Sequence, residues 1–108
     1  MNETNALAAF ASISSATRLR MVKCLVEAGP EGLSAGEIAE AVGATPSRTS
    51  FHLANLAEAG LVTSARHSRQ ILYRVDFAAI GALVRYLLQD CCNNNEIVRA
   101  CCMPGEGC

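Results

Sequence analysis

The sequence predicts a mainly α-helical domain closed by one β-hairpin. Three observations predict it. Apolar residues recur at helical spacing through most of the 108 residues. Capping residues and Gly or Pro stops divide that pattern into five segments. Between the fourth and fifth segments come two runs rich in β-formers, Leu61–Thr63 and Ile71–Val75, the second alternating with period two. A hydrophobic share of 51% with a net charge of −1 fills a core and excludes a disordered chain. With 5% aromatic residues and no Trp, that core must be built from Ala, Leu, Val and Ile.

The first segment, residues 3–13, is Ala-rich and carries Leu7 and Phe10 as an apolar i,i+3 pair. The second spans Ala16–Ala28, with Leu19, Val22 and Val26 expected on its inner face, and Gly29-Pro30 stops it. The third opens with Ser34 and Glu37 in capping-box spacing, continues through Ile38, Ala39 and Val42, and closes at Gly43. Thr45-Pro46 then supplies an N-cap and a preorganised first position for the fourth. That helix runs to just before Gly60, with Thr49, Leu53, Leu56 and Ala57 expected toward the core.

His67-Ser68-Arg69-Gln70 joins the two strands. Asp76 caps the fifth helix, which is expected to reach Leu88 or Asp90. Its residues Phe77, Ile80, Leu83, Val84, Leu87 and Leu88 cover more surface than one contact needs, so the helix asks for a partner. Residues 1–90 are read as the folded domain and 91–108 as a cysteine-rich tail in which Glu96–Cys102 can form a short helical turn. The order α-α-α-α-β-β-α, with two helices joined by a short turn and then a hairpin, describes a winged helix-turn-helix.

In such a fold the N-terminal residues of the second helix of the motif enter the major groove. Here they are Ser47, Arg48, Thr49 and Ser50, with His52 just beyond. Arg48 can pair bidentately with guanine, and the serines can reach bases or phosphates. Arg69 and Gln70 sit in the wing turn. The whole chain is not basic, but residues 45–75 carry a balance of +3 and the rest −4. A local basic face of that size implies salt-sensitive duplex binding with limited non-specific affinity.

No apolar run approaches the roughly 18 residues of a membrane span. Met1-Asn2-Glu3-Thr4 lacks the basic stretch of a signal peptide, so the expected compartment is the cytoplasm, where thiols stay reduced. Of six cysteines, Cys24 lies in the second helix, and Cys91, Cys92, Cys101, Cys102 and Cys108 crowd the last 18 residues. A disulfide scaffold would spread them, so the clustering reads as a ligand site. Cys24 reads as a small buried hydrophobe. No Gly-rich anion loop precedes any cysteine, which argues against a thiol enzyme; a metal carrier would not need the groove-reading residues.

The stretch Ser14-Ser15-Ala16-Thr17-Arg18-Leu19-Arg20 resembles the opening motif of the ArsR/SmtB family of metal-responsive repressors. So do Ala44-Thr45-Pro46-Ser47-Arg48-Thr49-Ser50-Phe51-His52-Leu53 and Leu56-Ala57-Glu58-Ala59-Gly60-Leu61-Val62, and the resemblance covers about residues 5–90. It implies a non-enzymatic winged-helix homodimer that binds a palindromic operator, its first and last helices pairing across a two-fold axis. Leu7, Phe10, Leu83, Tyr86 and Leu87 are the interface candidates. Ser68 stands where the family often has Gly.

Effector sites vary in this family. Leu33-Ser34-Ala35-Gly36-Glu37 lacks the Cys-x-Cys of one arsenic site. Ala78 and Gln89 stand where the zinc and cobalt members place histidines. What remains is Cys91-Cys92 and Cys101-Cys102, similar to arsenic-responsive members with a vicinal pair and a later cysteine after the last helix. As(III) and Sb(III) favour three soft thiolates. The expected effector is therefore As(III) or Sb(III), with Cys101 or Cys102 as the third ligand. Two alternatives stay open: a four-thiolate zinc or cadmium site, and a redox switch through Cys92 and Cys101.

Overall fold

The computed structural model describes residues 1–102. Its elements are α1 (Glu3–Ile13), α2 (Ala16–Ala28), β1 (Leu33–Ser34), α3 (Ala35–Val42), α4 (Pro46–Glu58), β2 (Val62–His67), β3 (Gln70–Val75), α5 (Phe77–Arg85) and α6 (Glu96–Cys102). A 3-10 turn at Gly29–Glu31 follows α2, and a π-type stretch at Tyr86–Cys91 continues α5. The helices begin where side chains can satisfy their free N–H groups. Asn2, Ser15, Ser34, Thr45 and Asp76 each accept a hydrogen bond from the backbone N–H three residues on. At α3 the bond is reciprocated, since the Glu37 carboxylate accepts from the Ser34 N–H at 3.0 Å.

The sheet is antiparallel in the order β1-β3-β2. β2 and β3 form the expected hairpin, in register from Val62 opposite Val75 to His67 opposite Gln70. β1 was not expected, because two residues carry no legible period; Leu33 pairs with Tyr73 and Ser34 with Leu72. Ser68 takes φ 61° at the hairpin tip, so the wing closes with a serine in the backbone region that glycine prefers.

The core gathers Met21 and Leu25 of α2, Ile38 of α3, Leu53 and Leu56 of α4, and Leu61, Val62 and Val75 around the hairpin. Three sequence expectations are corrected here. α2 keeps Val22 inward as expected but buries Met21 and Leu25 beside it, leaving Leu19 and Val26 exposed on the edges of the stripe. Ala57 is exposed, while Thr49, Leu53 and Leu56 form the inner line of α4. α1 buries Ala6, Ala9 and Ser12, so its larger Leu7 points outward at 60% exposure.

Gly32 fastens the sheet to α2. Its φ and ψ, 74° and −175°, lie in a region that only glycine occupies readily. A Cβ there would stand 2.5 Å from the Tyr73 carbonyl oxygen, too close for any real side chain. The neighbouring Pro30 carbonyl accepts a hydrogen bond from Arg74 Nε at 2.6 Å, binding the turn to β3. Gly32→Ala is therefore expected to lower stability by about 2–4 kcal/mol, from backbone strain and overpacking together. Gly43→Ala, with φ 68° and open space around the site, should lose only about 1 kcal/mol. Urea unfolding midpoints of the two variants test the difference.

Candidate nucleic-acid interface

α3 ends at Gly43, whose left-handed backbone (φ 68°, ψ 35°) reverses the chain. Thr45 then caps α4 by accepting from the Arg48 N–H at 3.3 Å, with Pro46 at the first helical position. These three residues set the turn between the paired helices. α4 divides cleanly by face. Thr49, Leu53 and Leu56 are buried at i, i+4, i+7 spacing, while Ser47, Arg48, Ser50, Phe51 and Ala54 are exposed.

That division corrects one expected groove residue. Thr49 is wholly buried, and among the described residues its hydroxyl has no hydrogen-bond partner, so it serves the core rather than a ligand. Ser47, Arg48 and Ser50 stand in solvent at the helix start, where groove contacts are made. Arg69 and Gln70 are exposed at the wing tip, with Arg66 exposed on β2. Arg74, also in the basic stretch, keeps its charge while its Nε donates to the Pro30 carbonyl.

His52 has a different part from the one expected. It is half-buried, and its Nδ1 lies 3.0 Å from Arg18 Nη1. Arginine can only donate, so Nδ1 is the accepting, unprotonated nitrogen. The same guanidinium donates through Nε to the Ser12 carbonyl. One side chain of α2 thereby joins the end of α1 to the middle of α4. Burial, then the charges of Arg18 and Arg48, push the His52 pKa below the usual imidazole value. Sequence reading missed Arg18, although it lies in the Thr17-Arg18-Leu19-Arg20 motif and its partner in the Phe51-His52-Leu53 motif. It also passed over Phe51, whose ring is 66% exposed.

Of the expected partner-facing residues, Leu7 and Leu87 are exposed and Phe10 and Tyr86 half-buried. Leu83 is corrected: at 5% exposure it belongs to the core of this chain. α5 buries nothing else, and Phe77, Val84 and Leu87 are all 40–50% exposed.

Beyond α5 the chain reverses through Asn93 and Asn94, both at positive φ. Asn95 Oδ1 then accepts from the N–H groups of Ile97 and Val98 to start α6. Cys91 and Cys102 are exposed free thiols and Cys92 is a half-buried one; Cys101 is disulfide-bonded. Among the described residues no group of three or more His, Cys, Asp or Glu is placed to hold a metal ion, so the four tail cysteines are not gathered as one ligand set. Cys108 lies outside the described residues. Cys24 is free and half-buried, with its thiol pKa raised by burial and then by Glu27. No helix among the described residues is long and apolar enough to cross a membrane.

Comparison with known proteins agrees with this geometry. A helix-turn-helix domain model matches residues 13–65. The HTH-type transcriptional regulator YgaV of Escherichia coli is 36% identical over 67 residues, which cover 62% of this chain and 67% of that protein. An ArsR-like transcriptional regulator from Rhodococcus sp. RHA1 superposes with a TM-score of 0.74 at 26% identity, covering 90% and 89% of the two chains. A possible transcriptional regulator for arsenical resistance superposes at 0.61 with 32% identity, covering 74% and 79%. The fold and its outward-facing helix define a winged helix-turn-helix transcription regulator. The chain belongs to the ArsR family of such regulators.

The His52 contact has a pH signature. Its folded pKa is below the unfolded value of about 6.5, so its contribution to stability is complete above that pH and is lost as pH falls through the folded pKa. Between about pH 7 and pH 5, the urea midpoint of the wild type is expected to fall more steeply than that of His52→Asn, whose amide keeps an acceptor without titrating. Parallel slopes would refute the contact.

Proposed function

We propose that this regulator is an arsenite- and antimonite-responsive repressor. It binds operator DNA as an effector-free homodimer and lets go when As(III) or Sb(III) joins the tail thiols. The carrying observation is that Cys91, Cys92 and Cys102 are free thiols, two at the end of the α5 path and one on α6, separated by the Asn93–Asn95 reversal. Three soft sulfurs are what trivalent arsenic takes, each thiol displacing one hydroxyl of arsenous acid as water. The likeness to a possible regulator for arsenical resistance supports the same effector.

The homodimer reading rests on apolar surface. Leu7 on α1 and Phe77, Val84 and Leu87 on the α5 path are each 40–60% exposed, large hydrophobes that a partner surface would cover. A second copy covers them with the same surface and places two α4 helices on one side of the assembly. The tail begins where α5 ends, so drawing α6 toward Cys91 acts on the element that sets the dimer. The thermodynamic requirement is reciprocal: operator must weaken arsenite binding by the factor that arsenite weakens operator binding.

A second reading has an observation of its own. Cys101 is disulfide-bonded, though not to the expected Cys92, which is free; an oxidation sensor in which two tail thiols give two electrons and two protons to a peroxide is therefore the second reading. An operator titration on protein reduced beforehand and then freed of reductant, with arsenite and peroxide added separately, distinguishes the two. Saturating arsenite is expected to weaken operator binding by about tenfold to a hundredfold. A Cys91→Ser/Cys92→Ser variant should stay bound, and Cys24→Ser should still respond. Release by peroxide alone, with arsenite inert, would favour the redox reading.

For the assembly, Leu7→Glu and Leu87→Glu each place a charge in the proposed interface. Each is expected to raise the dimer dissociation constant by on the order of a hundredfold, measured by sedimentation, with the monomer still folded.

A further inference from the structure

α4 presents one large apolar group on an otherwise polar face. Phe51 is 66% exposed. Ser47 lies one turn before it and Ala54 one turn after, with Arg48 and Ser50 alongside, all exposed. Among the described residues no other exposed large hydrophobic lies on α4; the rest fall at the N-terminus or on α1, α2, β3, the α5 path and α6. Phe51 thus stands alone among large apolar groups on the exposed face of α4, and its helix neighbours suit hydrogen bonding rather than a greasy protein contact. Its ring is held at its edge by His52, centroids 5.7 Å apart and planes at 67°. His52 is itself fixed by Arg18, so the phenyl group is supported from below and bare above.

A bare aromatic ring at the centre of a groove-facing helix wants an apolar partner inside the groove. The major groove offers one apolar group, the C5-methyl of thymine. Resting on the operator-binding reading above, we propose that Phe51 is a specificity-determining residue that packs against a thymine methyl in each half-site, beside the polar contacts made by Arg48 and the serines.

The test uses the full-length protein, reduced, and a duplex it selects from a random-sequence pool. The probe is that duplex and its counterpart with uracil for every thymine, which removes the methyl and leaves pairing and the O4 acceptor intact. The wild type is expected to bind the uracil duplex about fourfold more weakly for each methyl that Phe51 contacts, as burial of one carbon predicts. Phe51→Ala, a surface change that leaves the core untouched, should bind both duplexes equally. Arg48→Ala should lose about tenfold on both duplexes while keeping the uracil penalty. Equal wild-type affinity for the two duplexes, or an undiminished penalty in Phe51→Ala, overturns the role of Phe51 alone. Failure of the wild type to bind or select any duplex overturns the operator-binding reading and this inference with it.

Discussion

The Arg18 guanidinium is the interaction on which the placement of α4 depends. It donates to the Ser12 carbonyl at the end of α1 and to His52 Nδ1 on α4, while its own backbone N–H is held by the Ser15 cap. Hydrophobic burial through Met21, Leu25, Leu53 and Leu56 brings α2 and α4 together but is non-directional. A hydrogen bond has an angle as well as a distance, so it fixes the rotation of α4 that burial leaves loose. Rotation matters because Thr49 and Ser50 are adjacent, one facing the core and one the solvent. Roughly 100° about the axis exchanges the two roles.

The same contact explains why His52 is polar yet serves no ligand through Nδ1. A neutral acceptor beside Arg18 and Arg48 is cheaper to bury than an imidazolium, and the depressed pKa records that preference. Phe51 then uses the fixed ring as an edge-on support. A chain of contacts runs from α1 through Arg18 and His52 to the exposed face of α4. Each link is short, and it ends on the helix whose exposed start is the candidate groove-reading surface.

Much of this was legible in the sequence. Side chains that cap within three residues are local, so Ser34-Glu37, Thr45-Pro46 and Asp76 placed α3, α4 and α5 closely. β1 was not legible, since its two residues are a strand only because β3 lies beside them. Helix faces failed where small residues compete with large ones. α1 buries Ala6 and Ala9 and leaves Leu7 out, which inverts the usual reading of an apolar position. Leu83 reads as a partner contact in the sequence because a sequence cannot tell which of several leucines on an over-apolar helix faces its own core. Arg18 was hidden because its partner is 34 residues away.

The exposed Leu7 and the over-apolar α5 path gain meaning together. α1 hides Ala6 and Ala9 and shows Leu7, and the α5 path shows Phe77, Val84 and Leu87, so large hydrophobes lie on surface the chain does not bury itself. Large side chains contribute most when desolvated, so their outward placement is costly in a lone copy and favourable in an assembly. α5 leads without a loop into Cys91, and only after the asparagine reversal does α6 begin. On the proposed effector reading, a change in the tail would act through this helical backbone on the surface where a second copy would sit. A flexible linker at that position would have absorbed the change, whereas a helical one passes it on.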